Sequence, residues 1–267
     1  MTMNLYESAY DCLMQCDIDK KLADVKRLSE NWHSSVFERE NNSDEPVRIN
    51  IPGRPDKPDL IPVTQLKQRK LGSERGRATL IHAIAHIEFN AINLALDAVY
   101  RFRDMPDDYY ADWVKVAFEE AYHFSLLRNR LQELGYEYGD MPAHNGLWEM
   151  VLKTDHDVLV RMALVPRVLE ARGLDVTPGM MERLTTAGDT KTVDILKIIL
   201  RDEIGHVAIG SRWFKTSCEK RDLKPEKTFR ELLVEYMGGG LRGPFYMEGR
   251  LQAGFTQQEK DELVKMM

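Results

Sequence analysis

Four glutamates occupy places in this chain where apolar side chains belong. Glu88, Glu120 and Glu203 fall inside apolar stripes of helical period, and Glu170 follows a kinking proline, Pro166, by one turn. An ionised carboxylate facing a core is costly unless it is paired or bound to metal. Two of the four are followed three residues later by histidine, as Glu120-Ala-Tyr-His123 and Glu203-Ile-Gly-His206. Residues three apart on a helix share a face, so each Glu-x-x-His can offer two ligands to one ion. Four carboxylates and two histidines on four helices are the ligand set of a dimetal site inside a helical bundle.

The Glu-x-x-His spacing is weak by itself, because 22 glutamates and 7 histidines in 267 residues produce about 0.6 such matches by chance. A third match, Glu30-Asn31-Trp32-His33, serves as an internal control. Glu30 lies off the stripe Leu22, Val25, Leu28, Trp32, and the helix stops directly afterwards, so this pair reads as a solvated helix end. The other two pass the test. Glu120 lies within the stripe Trp113, Val116, Ala117, Phe124, Leu127, Leu131, whereas its neighbour Glu119 lies outside it. Glu203 lies within Val193, Leu196, Ile199, Leu200, Val207. Glu88 is flanked by Ile81, Ile84, Ala91, Ile92, Ala95 and Val99, and Leu159, Met162, Ala163 and Leu169 lead up to Glu170. The competing reading is a set of buried carboxylates paired with Arg161, Arg167 and Arg201. It must account for four glutamates and two histidines at matched spacing.

Helical periodicity without period-two alternation predicts an all-α fold. Residues 3–33 read as two short helices broken near Asp17. Residues 34–73 hold Pro46, Pro52, Pro55, Pro58 and Pro62 and read as a long extended segment wrapping the surface. Long helices are expected from Ser73 to about Arg103, from Asp108 to Leu134 before Gly135, from Thr154 or Asp155 to Gly173, and from Asp189 or Thr190 to about Lys220. A loop with Gly139, Pro142 and Gly146 follows the second, and Thr177-Pro178 reads as an N-cap opening a short helix. Beyond lie a helix near Glu226–Met237, the flexible Gly238-Gly239-Gly240, and one or two terminal helices. The expected organisation is an N-terminal lead-in (1–72), a four-helix bundle (73–220) and a C-terminal helical extension (221–267). Glu88 precedes Glu120 by 32 residues and Glu170 precedes Glu203 by 33, as in two copies of one helical hairpin.

Other residues invite softer readings. His82 and His86 share the first long helix, but His86 and Glu88 are two apart and cannot both serve one site, so ordinary packing roles are expected. Asp202 and Glu119 are candidates to hold the outer ring N–H of a metal-bound histidine. Pro166 would kink or bulge its helix beside Glu170. Trp113, Tyr122 and Phe124 read as core aromatics. The run Lys67–Arg77 is locally basic, a solvated loop or a contact for an anionic substrate or partner. Cys12, Cys16 and Cys218 have no zinc-type spacing. A net charge of −6 gives no overall affinity for nucleic acid or anionic membrane. No basic start precedes an apolar run, and no stretch approaches the roughly 20 apolar residues of a membrane span. A reduced, cytoplasmic setting is expected.

The order Glu88 … Glu120-x-x-His123 … Glu170 … Glu203-x-x-His206 resembles the ferritin-like superfamily of dimetal-carboxylate proteins. The strings HAIAHIEFNAI, FEEAYHF, RVLEARGLDVTP and RDEIGHVAIGSRWF are similar to a bacterial ferritin-like family of unknown function, over roughly residues 60–220. The resemblance implies a ferritin-like four-helix bundle with N- and C-terminal helical extensions. It implies Glu120 and Glu203 as bridging carboxylates, with Glu88 and His123 completing one ion and Glu170 and His206 the other. The implied ions are iron first, or manganese or a mixed pair, and the implied partner is O2 or peroxide. The extensions, absent from minimal ferritins, argue against cage storage, and no rubredoxin-type Cys-x-x-Cys pair is present.

The expected function is therefore a non-haem dimetal oxidoreductase that oxidises or hydroxylates a small-molecule substrate, with electrons from a separate reductase. A ferroxidase or peroxide-scavenging protein is the alternative, and a helical interaction protein with a structural metal site is the non-enzymatic one. The basic run keeps a tRNA substrate open, and the long amphipathic helices suit a homodimer.

Overall fold

A computed structural model of the protein describes residues 3–34, 37–38, 45–66, 70–238 and 241–265. Regular structure is helical, in line with the all-α expectation. Among the described residues, strand structure is limited to a parallel pair, Met3–Asn4 (β1) with Phe37–Glu38 (β2), and one bridge between Leu60 and Ala143. The chain divides into two units, Met1–Leu152 and Lys153–Met267.

In the first unit, α1 (Leu5–Met14) and α2 (Ile18–His33) break at Asp17, whose carboxylate accepts the Lys20 N–H and caps α2. Lys21 is buried. Its ammonium donates to Cys12 O at 2.9 Å, Leu13 O at 2.8 Å and Asn93 Oδ1 at 2.7 Å. Those three oxygens match its three donors. Lys21 thereby satisfies carbonyls at the C-terminus of α1 and ties them to the next long helix. That helix, α3 (Glu74–Arg101), pairs with α4 (Asp107–Glu133) as a hairpin, and α1 packs on α3 while α2 packs on α4. Ser73 caps α3 by accepting the Gly76 N–H. From Asn90 to Tyr100 every residue of α3 is buried, so the helix is enclosed on all sides rather than amphipathic. Within that stretch the buried Asp97 carboxylate accepts from Arg101 Nη2 at 2.7 Å and Nε at 3.0 Å. By length and composition α3 could cross a bilayer, contrary to the expectation that no stretch approached this, but 83% of its most apolar window is buried within the protein.

The described part of the proline-rich segment, residues 45–66, is an extended strap ending in a 3-10 turn at Val63–Gln65. Its bonds reach distant elements. The Val47 N–H donates to Tyr100 Oη, the Gly53 N–H to Leu13 O, the Ile61 N–H to Ala143 O, and Asp59 O accepts the Ala143 N–H. A β-carbon at Gly53 would lie 2.2 Å from the backbone of Met14, so only glycine allows the strap to cross α1 there. After α4, Gly135 adopts φ +76°. The expected loop then contains a further helix, α5 (Gly146–Lys153), which its single buried turn of apolar residues did not announce. Trp148 on α5 donates from Nε1 to Ile49 O and Asn50 O of the strap.

The second unit departs more from expectation. Asp157 caps α6 (Val158–Leu164), which passes into a π-turn at Val165–Glu170 and on into α7 (Ala171–Thr186). The helix does not stop at Gly173, and Thr177-Pro178 opens no new one. Pro178 lies inside α7, where Thr177 Oγ1 donates to Gly173 O at 2.8 Å and helps occupy the carbonyls of that turn. The kink anticipated at Pro166 is the π-turn. Proline has no N–H for the usual i−4 bond, and the Ala171 N–H reaches back five residues to Pro166 O. The long helix α8 (Thr190–Glu219) starts at its Asp189 cap and packs against α6, the π-turn and α7. α9 (Pro225–Met237) ends at Gly238 in the left-handed conformation, φ +72°. Two terminal helices follow, α10 (Met247–Gln252) and α11 (Gln257–Lys265). Gly239 and Gly240, and Lys67, Gln68 and Arg69 of the basic run, lie outside the described residues.

Candidate metal centre

Glu88 projects from α3, and Glu120 and His123 from α4. All three are buried, Glu120 and His123 completely. Each offers a ligand atom within 4.8 Å of the others. His123 Nδ1 lies 3.3 Å from Glu88 Oε2 and 3.4 Å from Glu120 Oε2. Burial and the neighbouring Glu120 push the Glu88 carboxyl well above the usual range, while His123 pulls the other way. Burial alone would lower the His123 imidazole, but its contacts with Glu120 and Glu88 override that and raise it to about 11. The cluster therefore calls for positive charge, and a proton on His123 supplies it when no other cation does. Two carboxylate groups and one imidazole are donors that could hold a metal ion.

The second unit carries the same residue types in the same order. Glu170 closes the π-turn, and Glu203 and His206 share one face of α8. All three are buried, at 8%, 9% and 0% exposure. His206 Nδ1 lies 3.5 Å from Glu203 Oε1. The rejected match behaves as expected, since Glu30 and His33 are exposed and Glu30 is 3.8 Å from Lys26 at the surface.

The arginines of the salt-bridge reading make the following contacts. Arg167 pairs with Glu259, Arg201 with Asp202, and Arg161 Nε donates to Thr154 Oγ1. Asp202 thus accepts from its helical neighbour at 2.8 and 3.1 Å, and Glu119 accepts from Lys115 at 2.6 and 2.7 Å. His82 and His86 close the loop after α4 onto α3. His82 Nε2 accepts the Gly139 N–H, and His86 contacts Tyr138 Oη at 2.9 Å and His144 O at 3.1 Å. Burial drives the His86 imidazole down to about 4, so it is neutral there.

Trp113 and Phe124 are core residues as expected, but Tyr122 is 48% exposed. It is one residue before His123, and helical rotation turns it to the solvent side. Sequence reading missed Tyr138, whose ring packs on Phe89 and Phe124 at 5.7 and 5.0 Å, beside the neighbours of Glu88 and His123. It stands in an irregular loop, where periodicity carries no signal. The described end of the basic run, including Lys70, Ser73 and Arg75, lines an open cavity of about 630 Å³ with Ile61, Leu66 and Met141.

No solved structure matches this chain. An uncharacterized protein of Haemophilus influenzae is 50% identical over 219 residues, covering 79% of this chain and 76% of that protein. The family model described as protein of unknown function (DUF455) matches residues 14–261. With nearly its whole length matched, metal-type cluster included, the chain belongs to the DUF455 family.

Proposed function

We propose that this protein is a non-haem dimetal oxidoreductase of ferritin-like type that uses O2 or peroxide to oxidise or hydroxylate a small organic substrate. The observation that carries this reading is the buried Glu88–Glu120–His123 cluster, with ligand atoms within 4.8 Å. The buried Glu170, Glu203 and His206 support it by repeating the same residue types at nearly the same spacing. These six residues would hold the ions, iron first and manganese or a mixed pair next. Bound ions of this kind supply redox chemistry toward oxygen species. The chain's own part is to keep two carboxylates and an imidazole buried together. His123 releases its proton when it becomes a ligand, so metal uptake is expected to release protons. Electrons would come from a separate reductase. The three free cysteines suit a reducing, cytoplasmic compartment.

The test is metal analysis of purified protein together with Glu120→Ala and His206→Ala variants. Two ions per chain in the wild type and a loss in both variants are expected. Variants that carry as much iron or manganese as the wild type would refute the dimetal reading. Substrate-dependent O2 consumption then separates an oxygenase from a ferroxidase, which consumes O2 with Fe(II) alone.

A further inference from the structure

The π-turn Val165–Glu170 contains two charged residues, Arg167 and Glu170. Arg167 is fully buried, and its Nη2 donates to Glu259 Oε1 on α11 at 2.5 Å. Among the described residues, its Nε and Nη1 have no hydrogen-bond partner. The faces of its guanidinium lie instead against Phe214, Phe229 and Phe255, at 4.8, 4.3 and 4.5 Å. Among the described residues, Glu259 is thus the hydrogen-bonded anchor of this cation. Glu259 is itself fixed, because its Oε2 accepts the Thr256 N–H at 2.8 Å while its own N–H donates to Thr256 Oγ1 at 3.1 Å. That reciprocal pair is a capping box that sets the start of α11. A second buried tie runs from α10 to α7, where Arg250 donates to both oxygens of Asp175 at 2.9 and 2.7 Å.

A π-turn has lost the regular i−4 ladder, and Pro166 removes a donor within it, so its backbone alone holds it weakly. Side-chain anchors then decide where it sits. We infer that Arg167 is a positioning residue for Glu170, and that the C-terminal helix, through Glu259, sets the geometry of this ligand. The inference rests on the dimetal reading of Glu170. It makes the C-terminal extension a working part of the centre rather than an appendage.

The experiment uses full-length protein stripped with chelator and titrated with Mn(II), followed by electron paramagnetic resonance and calorimetry. The wild type is expected to take two ions. Glu259→Ala should bind one ion as the wild type does and the second at least tenfold more weakly. Glu259→Gln, which keeps an acceptor oxygen for Arg167, should recover the second ion to within about threefold. A purely structural role would lower the melting temperature and weaken both ions alike, and that result would overturn the inference. So would two ions bound with wild-type affinity in a folded Glu259→Ala protein. If Glu259→Ala does not fold, Arg167→Lys is read in its place with the same split expected. A wild type that binds no Mn(II) and no Fe(II) would fail the dimetal reading itself, which is visible before any variant is compared.

Discussion

Gly210 on α8 and Pro166 in the π-turn are fitted to each other: a β-carbon at residue 210 would lie 2.2 Å from Pro166 Cγ and 2.3 Å from its Cβ. No side chain can be added at 210 unless the turn moves away. Gly210→Ala should therefore destabilise the protein by about 1–3 kcal/mol, the usual cost of overpacking. In the double variant with Pro166→Ala much of that loss should return, because the colliding ring is gone. Urea unfolding of the two single variants and the double variant measures the coupling, and strictly additive effects would contradict the contact.

Lys21 makes stability depend on pH in a defined direction. Burial lowers its ammonium from 10.5 to about 7, with Cys12, Cys16 and Asp24 acting the other way. The unfolded chain then binds more protons than the folded one between those values, so stability attributable to this residue rises as pH rises from about 7 toward 10.5. The slope is at most about 1.4 kcal/mol per pH unit. Lys21→Met should lack it, while losing stability near pH 7 because three oxygens lose their donor. Unfolding curves of both proteins between pH 6.5 and 9.5 decide the point, and parallel profiles would count against it.

Metal and charge should trade places in the Glu88–Glu120–His123 cluster. With chelator present, Glu88→Gln removes one of two crowded carboxylates and should raise the melting temperature. With Fe(II) or Mn(II) present the order should reverse. Metal at about one hundred times its dissociation constant stabilises the wild type by about 2.7 kcal/mol, and the variant gains less. Thermal scans with and without metal provide the check, and a variant as responsive as the wild type removes Glu88 from the ligand set.

The strap depends on Trp148. Trp148→Phe keeps the buried ring but loses the indole N–H to Ile49 O and Asn50 O. A loss of about 1 kcal/mol is expected, with faster proteolytic cleavage within residues 45–66. Peptide mapping of the first cuts tests this, and unchanged cleavage there would show that the strap is held elsewhere.

Much of this architecture was legible because the signals were local. Ser73, Asp189 and Gly135 mark helix ends by capping or by a left-handed turn, and α3, α4 and α8 begin and end within a few residues of the expected places. The in-stripe test also separated the buried Glu88, Glu120, Glu170 and Glu203 from the exposed Glu30. What escaped depends on tertiary context. Gly173 and Pro178 look like helix breakers, yet α7 runs through both because packing against α8 and α10 supports the backbone. A proline announces a missing donor but not the extra residue that makes Val165–Glu170 a π-turn. Arg167 and Glu259 are 92 residues apart, and no spacing rule joins them.

Trp148 and its acceptor Ile49 are 99 residues apart. At synthesis rates of about 5–20 residues per second, the strap leaves the ribosome roughly 5–20 s before its anchor exists. During that interval its carbonyls have only water or chaperones as partners, and α3, with its long apolar stretch, emerges into the same gap. The bonds from Trp148 to the strap can form only when α5 arrives. Slow translation between the strap and α5 would lengthen its exposure, so the yield of native protein should respond to codon choice in that stretch more than in any other.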